Sequence, residues 1–398
     1  MKVLVAHNAY QHRGGEDSVV EADIALLRSR GHEVTTYFRN NNDIEDMPLV
    51  SVATQTLWSS RTLHDLSELL QDSQPDIIHA HNTLPLISPS LYWAASHAGV
   101  PVVQTLHNFR MMCLSALYLR GGKVCEDCMG HLPWRGVVRK CYQGSVAASA
   151  VLAGMVTLHR GLGTYRNKVD RFIALTQFAK QKFVAAGFSE KKIVVKPNFH
   201  DISGSKCKVK GESRSGALFV GRLSEEKGVA TMLNAWRDLD IPLRIAGDGP
   251  LLEQNLGRHR TNIDFLCRLS DEQVAKEMTQ ASFLVMPSEW YEGFPLVLVE
   301  AFAHGLPVVA SRLGSMAEIV EDGVSGLHFD PGNPHDLAQK VQWMHKHPDE
   351  CRQMGENARR VYEKKYSPEK NYKILMDVYR QTIEGTKAVR WKQNESPS

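Results

Sequence analysis

Short runs of β-branched and other apolar residues alternate with helix-patterned segments along nearly the whole chain. That alternation limits the fold more than any other feature. In the first half the strand candidates are 3–6, 33–37, 76–80, 100–106, 172–175 and 193–196. Between the first two, Val20, Ile24 and Leu27 share one helical face, and Gly31 stands where that helix must stop. The second half repeats the habit with "ALFVG", "PLRIAG", "IDFL", "SFLVMP" and "PVVAS", each followed by a helix-forming segment. A helix between strands carries the chain back to the sheet's starting edge, so the strands run parallel and both faces are covered. The fold class is therefore α/β with doubly wound parallel sheets, which bind ligands at the carboxyl ends of their strands.

A chain of 398 residues exceeds what one core usually serves, so two domains are expected. The break falls in "PNFHDISGSKCKVKGESRSG", a stretch rich in turn formers between two halves of similar size. This gives a first domain over 1–198 with a Cys-rich insert at 111–143, a linker at 199–216 and a second domain over 217–367. A helix at 368–384 follows, with no strand after it, and is expected to cross back to the first domain. The polar tail at 385–398 reads as disordered.

The net charge of +3 is too small to argue for a nucleic-acid partner. Its distribution says more, because 111–198 holds fourteen Lys and Arg against four acids, a balance of +10 that leaves −7 for the rest. One face of the first half should be strongly basic, which suits an anionic membrane surface or a phosphorylated acceptor. "MKVLVAHNAY" runs straight into a strand-like segment without a signal-peptide pattern, and no apolar run reaches the roughly 18 residues of a spanning helix. A cytoplasmic setting with reduced thiols is expected.

Two motifs leave strands of the second half at their carboxyl ends. After "ALFVG" comes "RLSEEKG", where Arg222 and Lys227 bring two cations to a helix start, a setting for a diphosphate. Taken alone, this is more often a solvated loop. After "SFLVMPSE" comes "WYEGFPLVLVEAFAHG", with a loop at 290–294 and Pro295 at a helix's first position. The free N–H groups near Gly293 and Phe294 then point out of the ligand edge. Glu292 in the loop and Glu300 in the next turn can each accept hydrogen bonds from a pair of hydroxyls. A diphosphate between two polyhydroxylated rings fits both motifs, which is the chemistry of a nucleotide sugar.

On these strings, from "GGEDSVV" to "SPEKNYKILMDVY", the chain resembles the family-4 glycosyltransferases, retaining enzymes of the GT-B fold. That fold has two facing Rossmann-like domains with a cleft between them, and the resemblance implies that they close on the donor. It implies that Glu292 contacts the transferred sugar, Glu300 the ribose, and the backbone of Gly293, Phe294, Pro295 and Leu296 the sugar and diphosphate. Arg222 and Lys227 neutralise the diphosphate, so no divalent ion is needed for catalysis. "LCRLS", with Arg268, corresponds to the base-binding segment, and Cys267 stands where the family often has Gly. His107, in "QTLHNF", matches a histidine that contacts the donor sugar near the reaction centre. By itself such a strand-end histidine is as often structural. Gly14, Gly15 and Glu16, in "HRGGEDSVV", match a loop between donor and acceptor, with Gly15 on the donor. His81, in "HAHN" with His79, is read as cleft lining on the acceptor side, and Asn198 matches by position only. His107, Glu292, Arg222 and Lys227 form the expected catalytic set. The implied partners are a UDP- or GDP-linked sugar and a lipid-linked or glycan acceptor. Two other readings stand beside this one: a GT-B nucleotide-sugar epimerase or hydrolase, and a non-catalytic zinc-containing binding module.

Four of seven cysteines cluster: Cys113, Cys125, Cys128 and Cys141. One Cys-x-x-Cys with two single cysteines suits a structural zinc, with His131 as a substitute ligand, or packed free thiols, or a redox pair. The small-residue apolar segment 144–163 follows, flanked by basic residues. It reads as a buried helix, or as a helix lying on the anionic inner membrane face as a peripheral anchor.

Overall fold

The computed structural model describes residues 1–202, 214–253 and 261–394. Chain order gives β1 (Lys2–Ala9), β2 (Glu33–Asn40), β3 (Ile77–Ala80), β4 (Val102–Leu106), β5 (Leu119–Arg120), β6 (Lys123–Val124), β7 (Arg171–Ala174) and β8 (Ile193–Val195). It continues with β9 (Ala217–Val220), β10 (Leu243–Ala246), β11 (Ile263–Cys267), β12 (Phe283–Met286), β13 (Val308–Ser311) and β14 (Gly326–Phe329). Each predicted strand is present, and the chain divides into two units.

The first unit holds Met1–Leu117, Glu126–Pro197 and the chain from Asn371 onward. Its sheet is parallel throughout, in the order β2-β1-β3-β4-β7-β8. β3 and β4 are buried at every residue, as strands covered on both faces must be. The last helix, Pro368–Asn394, is fixed to this unit by polar contacts. Tyr372 Oη lies 2.8 Å from His32 Nε2, and Tyr379 Oη 2.7 Å from His79 Nδ1. Thr386 donates to Asp170. The helix runs past Glu384 to Asn394, which corrects the expectation of disorder from 385. An amphipathic helix already docked by its first turns extends at little cost, since propagation adds one hydrogen bond for each residue fixed.

The second unit holds Tyr118–Cys125 and Asn198–Lys370, and its parallel sheet has the order β11-β10-β9-β12-β13-β14. Trp236 fills one side of its core, its Nε1 donating to the Ile241 carbonyl at 2.9 Å. The hairpin β5–β6, read as part of the first domain's insert, belongs to this unit. The Tyr118 ring, fully buried, meets Tyr291 edge-on at 6.1 Å. Most of the expected linker, 203–213, lies outside the described residues.

Helix Val146–Gly161 buries Leu152, Ala153, Met155 and Val156 against Leu114. His159 is held at both nitrogens, by Thr164 and the Leu57 carbonyl. The helix's main apolar face is therefore core. Among the described residues no helix is long and apolar enough to cross a membrane.

Candidate functional site

In the second unit, β12 ends at Met286 and the chain turns through Ser288, Trp290 and Glu292 before helix Leu296–Ala303. Pro295 caps that helix in extended conformation, one place earlier than the sequence suggests. Glu292 is buried, and one oxygen, Oε1, accepts three hydrogen bonds. They come from Lys227 Nζ at 2.7 Å, Ser288 Oγ at 2.7 Å and Trp290 Nε1 at 3.0 Å. Oε2 takes no bond from the described residues, so the carboxylate is aimed with one acceptor oxygen spare. Ser315 Oγ donates to the Gly293 carbonyl at 3.1 Å and pins the loop, while the Phe294 ring rests edge-on against Tyr366.

Lys227 sits after β9 and before Gly228, whose φ is +67°. A Cβ at Gly228 would lie 1.9 Å from the Pro287 carbonyl oxygen, so only glycine lets these two loops touch. That contact brings Lys227 to Glu292. Lys227 thus bonds the Glu292 carboxylate, which the resemblance assigns to the transferred sugar, whereas the sequence reading assigned Lys227 to the diphosphate alone. Arg222 and Arg268 are exposed. Cys267 has φ +56° at a register shift between Ile245 and Ala246, and its carbonyl accepts from Gly247 N at 2.7 Å. A left-handed residue is the physical reason glycine suits this position. Glu300 is half-buried, and desolvation, then Asp271, pushes its pKa up to about 7.

In the first unit, Gly14 caps helix Gly15–Ser29, and Asp17 organises the turn. Its Oδ2 accepts from Gly14 N at 2.8 Å, and its Oδ1 lies 2.8 Å from His7 Nε2 and accepts from Tyr10 N. Glu16 points to the other side, accepting from Tyr10 Oη at 2.9 Å and Asn108 Nδ2 at 3.4 Å. Burial pushes its pKa up to about 7, with Asp17 adding to the rise. His107, just past β4, pairs its Nε2 with His81 Nδ1 at 2.8 Å, the rings stacked at 5.1 Å. Burial, then His7 and Lys196, lowers the pKa of His107 to about 3, so this imidazole is neutral in the ordinary range.

His79 and His81 lie on the same face of the sheet as expected, their rings 4.1 Å apart. With Asp23 they place three potential metal-ligating atoms within 4.8 Å of one another. Lys196 Nζ stands 3.6 Å from Asp23 Oδ1, and both nitrogens of His79 are engaged, by Thr105 and Tyr379. A cation there would face a buried ammonium and displace one of those bonds. Cys113, Cys125, Cys128 and Cys141 form no disulfide.

Sequence reasoning missed Ser288 and Trp290, which aim Glu292, and Asp17, His7, Tyr10 and Asn108, which shape the Gly-Gly turn. Asp17 was detectable, since an acid three residues after a cap is capping-box spacing. The others meet their partners only through the fold.

Two family models match the chain: "Glycosyl transferase 4-like domain" over residues 14–198 and "Glycosyl transferases group 1" over 206–361. An uncharacterised glycosyltransferase of Methanocaldococcus jannaschii is 37% identical over 166 residues, 41% of this chain. The match covers 47% of that relative, so the chain spans about half of its length. The phosphatidyl-myo-inositol mannosyltransferase of Mycobacterium tuberculosis is 26% identical over 84% of this chain and 83% of its own. Among solved structures, Anabaena HepE in complex with UDP superimposes with a TM-score of 0.69 at 18% identity, covering 96% of this chain and 100% of HepE. With its two parallel-sheet Rossmann-like units, each matched by its own family model, the chain belongs to the family-4-type glycosyltransferases of the GT-B fold.

Proposed function

We propose that the protein is a retaining, metal-independent hexosyltransferase. It moves a sugar from a nucleoside-diphosphate sugar, UDP- or GDP-linked, to a lipid-linked or glycan acceptor in surface-polysaccharide or glycolipid assembly. The observation that carries this reading is Glu292, aimed by three donors on one oxygen at the start of a helix whose next turn presents Glu300. The UDP in the HepE complex and the phosphatidylinositol named for the mycobacterial relative support the donor and acceptor classes.

The spare oxygen of Glu292 accepts from the transferred sugar's hydroxyls and Glu300 from the ribose, while Arg268 lies in the base-binding segment. As the bond from C1 to the diphosphate breaks, charge builds on the leaving phosphate. Arg222, Lys227 and the N–H groups of Gly293, Phe294 and Leu296 stabilise it. The acceptor oxygen bonds to C1 on the leaving group's face, and its proton passes to a phosphate oxygen. By the resemblance, Gly14, Gly15, Glu16 and His81 are assigned to the acceptor side and His107 to the donor sugar near the reaction centre.

A peripheral site on the cytoplasmic membrane face is part of the proposal. Trp134 and Val138, the latter 82% exposed, are apolar groups on the short helix Trp134–Val138, with exposed Leu132 just before it, beside Arg135 and Lys140. A structural zinc on the four insert cysteines rests on their spacing alone. The test is transfer from UDP- and GDP-sugars in the presence of a chelator, with the product's anomeric configuration read by NMR. Transfer with inversion, or donor turnover that needs no acceptor, would reject the reading.

A further inference from the structure

Arg39 is the last residue but one of β2, at the edge where open α/β sheets take their ligands, and it lies in register with Asn8 of β1. The residue is 9% exposed. Its Nη1 is buried without a hydrogen-bond partner among the described residues. Its Nη2 stands 3.7 Å from Asp43 Oδ2, outside hydrogen-bond reach. The neighbouring polar groups, by contrast, are spent on the fold. Asn8 Nδ2 donates to Asn41 Oδ1 at 2.6 Å, and Asn8 Oδ1 accepts from Leu86 N at 2.9 Å. Asn40 Oδ1 accepts from Asn42 N at 2.9 Å. Tyr37, two residues back and so on the same strand face, donates to Asp65 Oδ2 at 3.1 Å. A guanidinium is a rigid fork of N–H donors that keeps its charge at any ordinary pH. Burying one with a free arm is costly unless an oxyanion meets it.

We propose that Arg39 binds a phosphate group of the acceptor. Two phosphate oxygens match the edge of the fork and form the parallel, charge-assisted pair of bonds that Asp43 does not make. Asp43, its side chain 51% exposed on the short turn Asn41–Ile44, is a weak counter-charge that an incoming phosphate displaces. The hydroxyls of an uncharged glycan would satisfy the donors without answering the charge. The phosphate belongs either to a lipid-linked acceptor or to a soluble sugar phosphate. The inference deepens the proposed function by naming the acceptor's chemistry, and it rests on the assignment of the first unit to the acceptor.

The experiment uses the full chain labelled with ¹⁵N-arginine, with potassium phosphate as the probe and potassium chloride at equal ionic strength as the control. The Arg39 side-chain signal is identified by its loss in Arg39→Lys. The expected result is a saturable shift of that signal with phosphate and none with chloride. Asp43→Asn removes a like charge from the phosphate's neighbourhood and should tighten binding about 5-fold. A signal unmoved by phosphate in both the wild type and Asp43→Asn overturns the proposal, and so does an equal shift with chloride. Co-sedimentation with phosphatidylcholine vesicles carrying phosphatidic acid then separates the two sources. Arg39→Gln should bind them less than wild type if the phosphate is a lipid headgroup, and equally if it is a soluble group. The titration needs no turnover, so the phosphate site can fail while the glycosyltransferase reading stands, and the reverse.

Discussion

Glu300 sets function against stability, and Glu300→Gln separates the two. Its carboxyl is half-buried beside Asp271, and its pKa rises from 4.5 to about 7. In the unfolded chain this group ionises near its ordinary value, so between pH 4.5 and about 7 the folded state holds a proton that the unfolded state has lost. Stability therefore falls as pH rises through that window. The full shift, about 2.5 units at about 1.4 kcal/mol each, costs the wild type at most about 3 to 4 kcal/mol above pH 8. Glutamine keeps the shape without the charge. The variant should melt higher than wild type at pH 8.5, by on the order of 5 °C in calorimetry, with most of the gain gone at pH 5. The same change removes a charged acceptor for the ribose hydroxyls and should weaken nucleotide-sugar binding about 10- to 100-fold. Wild-type affinity should itself decline as pH drops below about 7, where the acid form loses an acceptor site. A variant less stable at pH 8.5, or a gain equal at both pH values, refutes the desolvation argument. Unchanged donor binding refutes the ribose role.

Glu292→Ala should reduce transfer by at least about 100-fold with the fold retained, checked by circular dichroism beside the assay. Near-normal turnover would remove Glu292 from the donor site. Cys267→Gly relieves a left-handed residue and should stabilise the protein by up to about 1 kcal/mol in denaturant unfolding. A loss there would mean that the thiol packs usefully. Metal analysis of chelator-free protein should find one zinc per chain if the four insert cysteines bind it, and a value near zero ends that proposal. Val138→Asp should lower co-sedimentation with anionic vesicles without altering transfer to a soluble acceptor, and equal binding to neutral vesicles would exclude the basic-surface argument.

The chain's local chemistry determined its strands and the two-unit plan. β3 and β4 read as mainly apolar runs because a strand buried on both faces favours that composition, and their polar residues His79, Gln104 and Thr105 are buried with hydrogen-bond partners. The placement of Glu292 in the loop and of Glu300 on the helix was legible for a similar reason, since a strand end, a glycine and a proline mark where the loop gives way to the helix. Residues distant in sequence but adjacent in space were not legible. Nothing local in "ALFVGRLSEEKG" tells Lys227 that Glu292, 65 positions later, will take its ammonium. That pairing waits for Gly228 to pass under the Pro287 carbonyl. His81 and His107 are 26 residues apart, and Tyr379 meets His79 across 300. The β5–β6 hairpin joined the other unit because Tyr118 buries its ring there. Sequence determined which groups could do chemistry at each strand end. Tertiary structure alone decided which of them touch, because hydrogen bonds and burial act over a few ångströms of space, whatever the separation along the chain.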